Sequence, residues 1–506
     1  MSYKLTVYNL SVTIETDNHA FQKHIDNFLR KYYTLTQSSF SATSTAEPKL
    51  FAGKIKHRGV YQLHSNQFIH LYHHLKDINY SMELSEKIDK RDYKVESTDF
   101  RVRDNWKLRD YQVPVYEFLL DNPVKSKLVP LQTGLGKTAI FLYTAATIRQ
   151  RLAIVILPTY IDKWVSDVAS IHDAKTSDVM VIQGSKALRS IVELAKHNSL
   201  TNDYYIFSNR TLQEFIVQYE ENPEQCVDFY GISPIELFPL LGIGVLLVDE
   251  THQHFHSIFK ILLYSNVKFQ VGLSATLLSE ESVIRRLHSV VYPSNCIYTK
   301  SSINRYIDVY AITYNIAEHY RKHLRTTNYG SKHYSHVAFE QSITKRQHTL
   351  DKYLKLIDTT IKDYYIQEYV DKDKLLIFVA TVNLATQLTE YLKEIYTDKV
   401  VNRYCENDPY TNLQTSDIIV STVISSGTAV DIENLRVVIQ TVAISSTVSN
   451  IQSLGRLRDL KNRDVKFCYL YTNTVAKQKE YHLKRVEIFT NLTANIMHRS
   501  SRAGIQ

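Results

Sequence analysis

Gln132-Thr133-Gly134-Leu135-Gly136-Lys137-Thr138 is the stretch on which the reading of this chain turns. It follows an apolar run, Leu128-Val129-Pro130-Leu131, and precedes a segment of helical character, 139–149. A strand, a glycine-bearing turn ending in Lys-Thr, and then a helix is the layout of a phosphate cradle. The N–H groups of the turn converge with the positive end of the helix and favour negative charge at one place. In such a cradle Lys137 reaches the β- and γ-phosphates and the Thr138 hydroxyl holds Mg²⁺. The strict pattern has a glycine where Leu131 stands, so the turn alone leaves a fortuitous Gly-Lys-Thr open.

Working outward, the next signal is Val245-Leu246-Leu247-Val248-Asp249-Glu250-Thr251-His252, an apolar strand that ends in two adjacent carboxylates. Ligand sites of parallel sheets lie beyond the carboxyl ends of the strands. Asp249 there can hold Mg²⁺ and Glu250 can polarise an attacking water. Gly272-Leu273-Ser274-Ala275-Thr276 ends another apolar strand. Upstream, Leu108-Arg109-Asp110-Tyr111-Gln112 offers a glutamine whose amide can both donate to and accept from an adenine edge. Far downstream come Ser421-Thr422, then Ser425-Ser426-Gly427-Thr428-Ala429-Val430-Asp431, then Gln452-Ser453-Leu454-Gly455-Arg456-Leu457-Arg458. Arginines in that last stretch can stabilise the charge of a phosphoryl-transfer transition state, an effect of roughly 10³–10⁵ in rate. Each of these segments alone also fits an ordinary turn or a solvated helix face.

The chain has 506 residues, enough for about three domains. Its 60 Lys and Arg against 52 Asp and Glu give a net charge of +8, compatible with a polyanionic partner without requiring one. Cys226, Cys296, Cys405 and Cys468 are too far apart for metal-ligand spacing or a disulfide framework. The N-terminus lacks the apolar core of a signal peptide, and the apolar stretch 237–248 is too short to span a bilayer. A cytoplasmic location is expected.

Residues 1–100 read as a small α+β unit, with a strand over 4–14, a helix capped by Asn18, and a second strand region over 50–63. From about residue 109, near-continuous apolar strands alternate with helices, the pattern of a parallel sheet covered on both faces. A helical, His- and Tyr-rich stretch spans about 316–372, a second β/α series starts at 375, and a helix is expected from 475 to about 497. The fold class is therefore α/β, with residues 101–300 and 301–506 forming two parallel-sheet domains in tandem behind the N-terminal unit.

In sequence order, Gln112, Gly134 to Thr138, Asp249 to His252, Ser274 to Thr276, Gly427 to Asp431 and Gln452 to Arg458 resemble the motif set of superfamily 2 helicases of the DExH type. Pro158-Thr159 and Phe207-Ser208 with Thr211 are similar to that family's nucleic-acid-contacting motifs, and Leu376-Ile377-Phe378 to its motif IV. The chain looks most like the UvsW-like branch of phage helicases, with Gly53-Lys54-Ile55-Lys56 in the place of that branch's N-terminal strand motif. Two departures stand out: Leu131 in the phosphate turn, and Asp459 where a second arginine is usual, with Arg458 one position early.

The resemblance implies two RecA-like domains that share ATP and Mg²⁺. Gln112, Gln132, Thr133, Gly134, Leu135, Gly136, Lys137, Thr138, Gly427 and Asp431 would bind ATP. Thr138 and Asp249 would hold the metal, and Lys137, Asp249, Glu250, Gln452, Arg456 and Arg458 would serve hydrolysis. His252, Ser274 and Thr276 would couple the ATP site to nucleic acid. Pro158, Thr159, Ser208, Thr211, Thr422 and Gly427 would grip its backbone. Lys54, Lys56 and Arg58 make the N-terminal unit a candidate duplex or junction binder, and the basic stretch 319–333 is a further candidate contact. The expected activity is an ATP-dependent DNA helicase or translocase that remodels forks, junctions or R-loops beside phage replication and recombination proteins. An RNA or RNA–DNA hybrid helicase, and a non-catalytic nucleotide-gated scaffold, remain the alternatives.

Overall fold

The computed structural model describes residues 3–35, 48–55, 58–80, 88–90, 92–121, 126–131, 135–251, 254–274, 282–299, 305–328, 330, 333–405, 408–423, 432–460 and 463–506. Of the expected site residues, Lys56, Gln132, Thr133, Gly134, His252, Thr276, Gly427 and Asp431 lie outside them. The chain divides into two compact units, Met1–Lys300 and Ser301–Gln506.

The first unit opens with a five-stranded sheet in the order Gly53–Ile55, Val60–His64, Ser11–Thr16, Tyr3–Val7, Ile88–Lys90. The single strand expected over 4–14 is instead the hairpin Tyr3–Val7 and Ser11–Thr16, because residues 8–10 turn the chain back. The Asn18 side chain accepts the Phe21 N–H at 3.1 Å and starts the helix His19–Tyr32. Phe21, Ile25, Phe28 and Leu29 recur at helical spacing and form its buried face.

Beneath this layer lies a six-stranded, all-parallel sheet. Its order is Val179–Ile182, Tyr204–Ser208, Leu152–Ile156, Val245–Val248, Phe269–Ser274, Ser126–Pro130. Leu152–Ile156 and Val245–Val248 are buried along their whole length, which explains their unbroken apolar sequence. The two sheets share the helix Phe255–Ser265. Phe51 packs on Phe255, His256 and Phe259, and Gln62 Nε2 donates to the Leu263 carbonyl at 3.2 Å. Asn66 Nδ2 reaches the Val290 carbonyl at 2.7 Å. A single apolar core therefore runs from Leu5 to Tyr292.

The second unit is a seven-stranded parallel sheet ordered Val401–Tyr404, Ile418–Thr422, Lys374–Val379, Leu435–Gln440, Val465–Tyr471, Ile307–Thr313, Asn495–Ser500. Within 316–372 the helices His336–Thr344 and Gln347–Tyr364 pack on one face of this sheet through Phe339, Ile343, Tyr353 and Ile357. The C-terminal helix expected to about residue 497 ends earlier, as Ala476–Thr490. The chain then adds the strand Asn495–Ser500 beside Ile307–Thr313. This strand lies at the sheet edge with mostly exposed side chains, so it carries no apolar run to announce it. The tandem α/β architecture read from the sequence is the one observed.

Candidate nucleotide site

The strand Ser126–Pro130 ends the six-stranded sheet, and Ser274 pairs in register with Pro130. Leu131 then turns inward, 6% exposed, into the core under the sheet. Its side chain is a packing residue, and its carbonyl accepts from Lys137 Nζ at 3.1 Å. The position therefore holds a large apolar residue as part of the core.

Gly136 precedes the helix Lys137–Ile148 with φ +75°, a left-handed conformation that costs a side chain about 1–2 kcal/mol. A Cβ on Gly136 would also stand 2.3 Å from Gln112 Nε2. That amide is 5% exposed and clamps the turn from outside. Gln112 Oε1 accepts the Arg109 N–H at 2.9 Å, and Nε2 donates to the Leu135 carbonyl at 2.9 Å. Gly136 gives the helix no side-chain cap, so the first-turn N–H groups beside Lys137 and Thr138 are left for an anion.

Two strands away, Val245–Val248 delivers Asp249 and Glu250 to the same carboxyl end of the sheet. Trp164 Nε1 donates to Asp249 Oδ2 at 3.0 Å, and the Glu250 N–H donates to Asp249 Oδ1 at 2.8 Å. Glu250 sits at φ +51°, strained for a non-glycine residue, and the turn is held by Thr251, whose N–H donates to the Leu273 carbonyl at 3.0 Å. Burial, and next the Glu250 charge, push the Asp249 carboxyl above its usual range; Lys137 and the Trp164 and Glu250 N–H groups oppose them. A buried carboxylate facing a lysine ammonium, with a threonine hydroxyl in the adjoining helix turn, is a hard-oxygen donor set. It suits Mg²⁺ carried in on phosphate oxygens.

The remaining expected residues of this unit take varied places. Pro158 is half-exposed and Thr159 exposed in the short helix Pro158–Tyr160. Ser208 is buried, and the buried Thr211 hydroxyl accepts the Gly184 N–H at 2.7 Å. Lys54 Nζ lies 2.6 Å from Asp26, and Arg58 Nη2 lies 2.7 Å from Glu224.

In the second unit Thr422 is buried at the end of Ile418–Thr422. Gln452 lies on the helix Thr447–Leu454. Gly455 ends that helix, and Arg456, 2% exposed, follows immediately. Arg458 folds back, its Nη1 donating to the Gly455 carbonyl.

Sequence reasoning missed Trp164. The 161, 164, 168, 171 spacing marks it as a core residue of Ile161–Ile171, and nothing local reveals that its ring N–H reaches a carboxylate 85 positions away.

Residues 105–279 match the family model described as type III restriction enzyme, res subunit. The TFIIH basal transcription factor complex helicase/translocase XPB subunit of Trypanosoma brucei brucei is 25% identical over 209 residues, 40% of this chain. That alignment spans only 21% of the relative's own length. Among solved structures, a variant of S. cerevisiae Dbp5 bound to RNA and ADP BeF3 shares the fold with a TM-score of 0.50. Its identity is 13%, over 78% of this chain and 90% of that one. The Pyrococcus furiosus Hef helicase domain gives a TM-score of 0.45 at 12% identity, over 74% and 97% of the two chains. The chain is thus similar over residues 105–279 to the res-subunit family, over 209 residues to a helicase/translocase subunit, and in its two parallel sheets in tandem to a solved Dbp5 structure.

Proposed function

We propose that the protein is an ATP-hydrolysing helicase or translocase that works on DNA, remodelling branched substrates such as forks, junctions and R-loops. The observation that carries this is the meeting of Lys137, in the turn bent at Gly136, with Asp249 and Glu250 at the carboxyl ends of one sheet. ATP bound there would supply the cleavable phosphoanhydride, with Mg²⁺ neutralising its charge. Lys137 and the free N–H groups of the first helix turn orient the phosphates. Thr138 and Asp249 supply the oxygens that hold the metal. Glu250 accepts a proton from the attacking water. Arg456, with Gln452 and Arg458 on the same segment, stabilises the charge that develops on transfer. Gln112 reads the base by exchanging its present backbone partners for those of an adenine edge.

Pro158 and Thr159, at the surface, are the foremost candidates to contact the nucleic-acid backbone, with Thr422 of the second unit; Ser274, nearer the ATP site, would couple the two. Lys54 and Arg58 would contribute after exchanging Asp26 and Glu224 for phosphates. Backbone contacts position a strand without reading its sequence, so binding weakens steeply with salt and shows little sequence preference. The resemblance to phage helicases supports a setting in host cytoplasm beside replication and recombination proteins.

The test is ATPase activity measured alone and with duplex, single-stranded and forked DNA, RNA, and RNA–DNA hybrid. Forked DNA is expected to stimulate most. Stimulation by RNA alone would reassign the substrate. Lys137→Ala should abolish hydrolysis while circular dichroism and Tm stay at wild-type values; undiminished hydrolysis would sink the proposal.

A further inference from the structure

In the core of the second unit lies a guanidinium with no carboxylate beside it among the described residues. Arg485, on the helix Ala476–Thr490, is 2% exposed. Burying an unpaired charge is costly, and an apolar side chain of similar length would pack there more cheaply. What the guanidinium offers instead is a planar fork that fixes direction. Its Nε donates to Asn450 Oδ1 at 2.7 Å, its Nη2 donates to the Val442 carbonyl at 3.1 Å, and it lies 4.5 Å from the Tyr469 ring centroid. Burial lowers its pKa to about 10, so it stays cationic at neutral pH.

The two hydrogen-bond acceptors lie on one continuous segment, and Tyr469 on the strand Val465–Tyr471. Asn450 is fully buried, and its Nδ2 donates to the carbonyls of Ile444 at 3.1 Å and Ser446 at 2.9 Å. The Ser446 hydroxyl accepts the Ser449 N–H at 3.3 Å and caps the helix Thr447–Leu454. That helix carries Gln452 and hands directly to Arg456. Arg485 therefore grips both the connection leaving the strand Leu435–Gln440, at Val442, and the helix it leads to, at Asn450.

We propose that Arg485 is a positioning residue: it fixes the segment 442–456 so that Arg456 is presented in one orientation to the transferring phosphate. The proposal rests on the role given to Arg456 above.

The test is a double-mutant cycle in the full chain: Arg485→Met, Arg456→Ala and both together, read as kcat and KM for ATP beside thermal unfolding. Misplacement by about an ångström costs up to about 10²-fold in rate, so Arg485→Met should lower kcat on the order of 10–100-fold with KM within about threefold. On the Arg456→Ala background it should cost less than about threefold more, since the group it positions is already gone. A purely structural role would multiply with Arg456→Ala, and that result, or full activity of Arg485→Met, overturns the proposal. If Arg485→Met unfolds without cooperativity, Asn450→Ala breaks the same link from the other end and is read in the same cycle. Wild-type kcat in Arg456→Ala alone would instead remove Arg456 from the proposed reaction, and Arg485 with it. A lowered Arg456→Ala combined with multiplicative effects removes only Arg485.

Discussion

Among the described residues of the nucleotide site, Gly136 and Glu250 have a positive φ. Gly136 needs no side chain and Glu250 tolerates one under strain. Gly136→Ala places a methyl at φ +75° and against the Gln112 amide. It should cost about 1–2 kcal/mol of stability and at least about tenfold in ATPase, measured by chemical denaturation and steady-state turnover. Trp164 makes a different prediction. Its N–H holds the Asp249 carboxyl down against burial, so Trp164→Phe should raise that pKa and move the acid limb of the ATPase profile to higher pH. An unmoved acid limb with altered turnover would show that the ring acts by packing alone. The residue types proposed to act at 137, 138, 249 and 250 were legible in the sequence, because strand-turn-helix chemistry is local. Trp164 was not, because its role depends on a contact across the sheet.

At the scale of elements, apolar runs located the central strands to within a residue or two. Val245–Val248 has the expected ends, since a strand buried on both faces must be apolar throughout. Ile307–Thr313 alternates in burial and Asn495–Ser500 is mostly exposed, so neither advertises itself. Caps behaved likewise: Asn18 followed by an apolar 3.6-residue rhythm was sufficient to place the helix His19–Tyr32. Asn18→Ala removes the acceptor for the Phe21 N–H and should cost about 1 kcal/mol, read from urea unfolding followed by tyrosine fluorescence. A loss under about 0.3 kcal/mol would show that tertiary packing alone holds that helix end.

Over the whole molecule, buried titratable groups set the response to pH. Burial lowers His64 to about 4, and burial with the Arg485 charge lowers His336 to about 3. His482 falls to about 4 by burial, helped by His498 and Arg485. A base depressed in the folded state binds its proton preferentially when unfolded, so its contribution is complete above pH 6.5 and is lost as pH falls towards 4. His172 and His256 are lowered too and act in the same direction. Glu340 acts oppositely. Burial raises it to about 7 against the Ala380 and Thr381 donors, so its contribution is present at low pH and lost as pH rises through 7; the raised Asp249 and Asp203 share that sign. Five histidines outweigh three acids, so Tm should fall on acidification from pH 6.5 to 4, and a Tm that rises over that range would contradict the balance. The sequence by itself determined the α/β class and the tandem of parallel sheets, and it singled out the residue types of the proposed nucleotide site, because hydrophobic period and turn composition are properties of short segments. Only the tertiary structure decided that Leu131 is a core residue, that Trp164 tunes Asp249, that the N-terminal sheet shares its core with the first parallel sheet, and that Arg485 grips the arginine-bearing segment. Each of those joins residues far apart in the chain, and the order of strands in a sheet, which brings them together, is written in no local stretch of it.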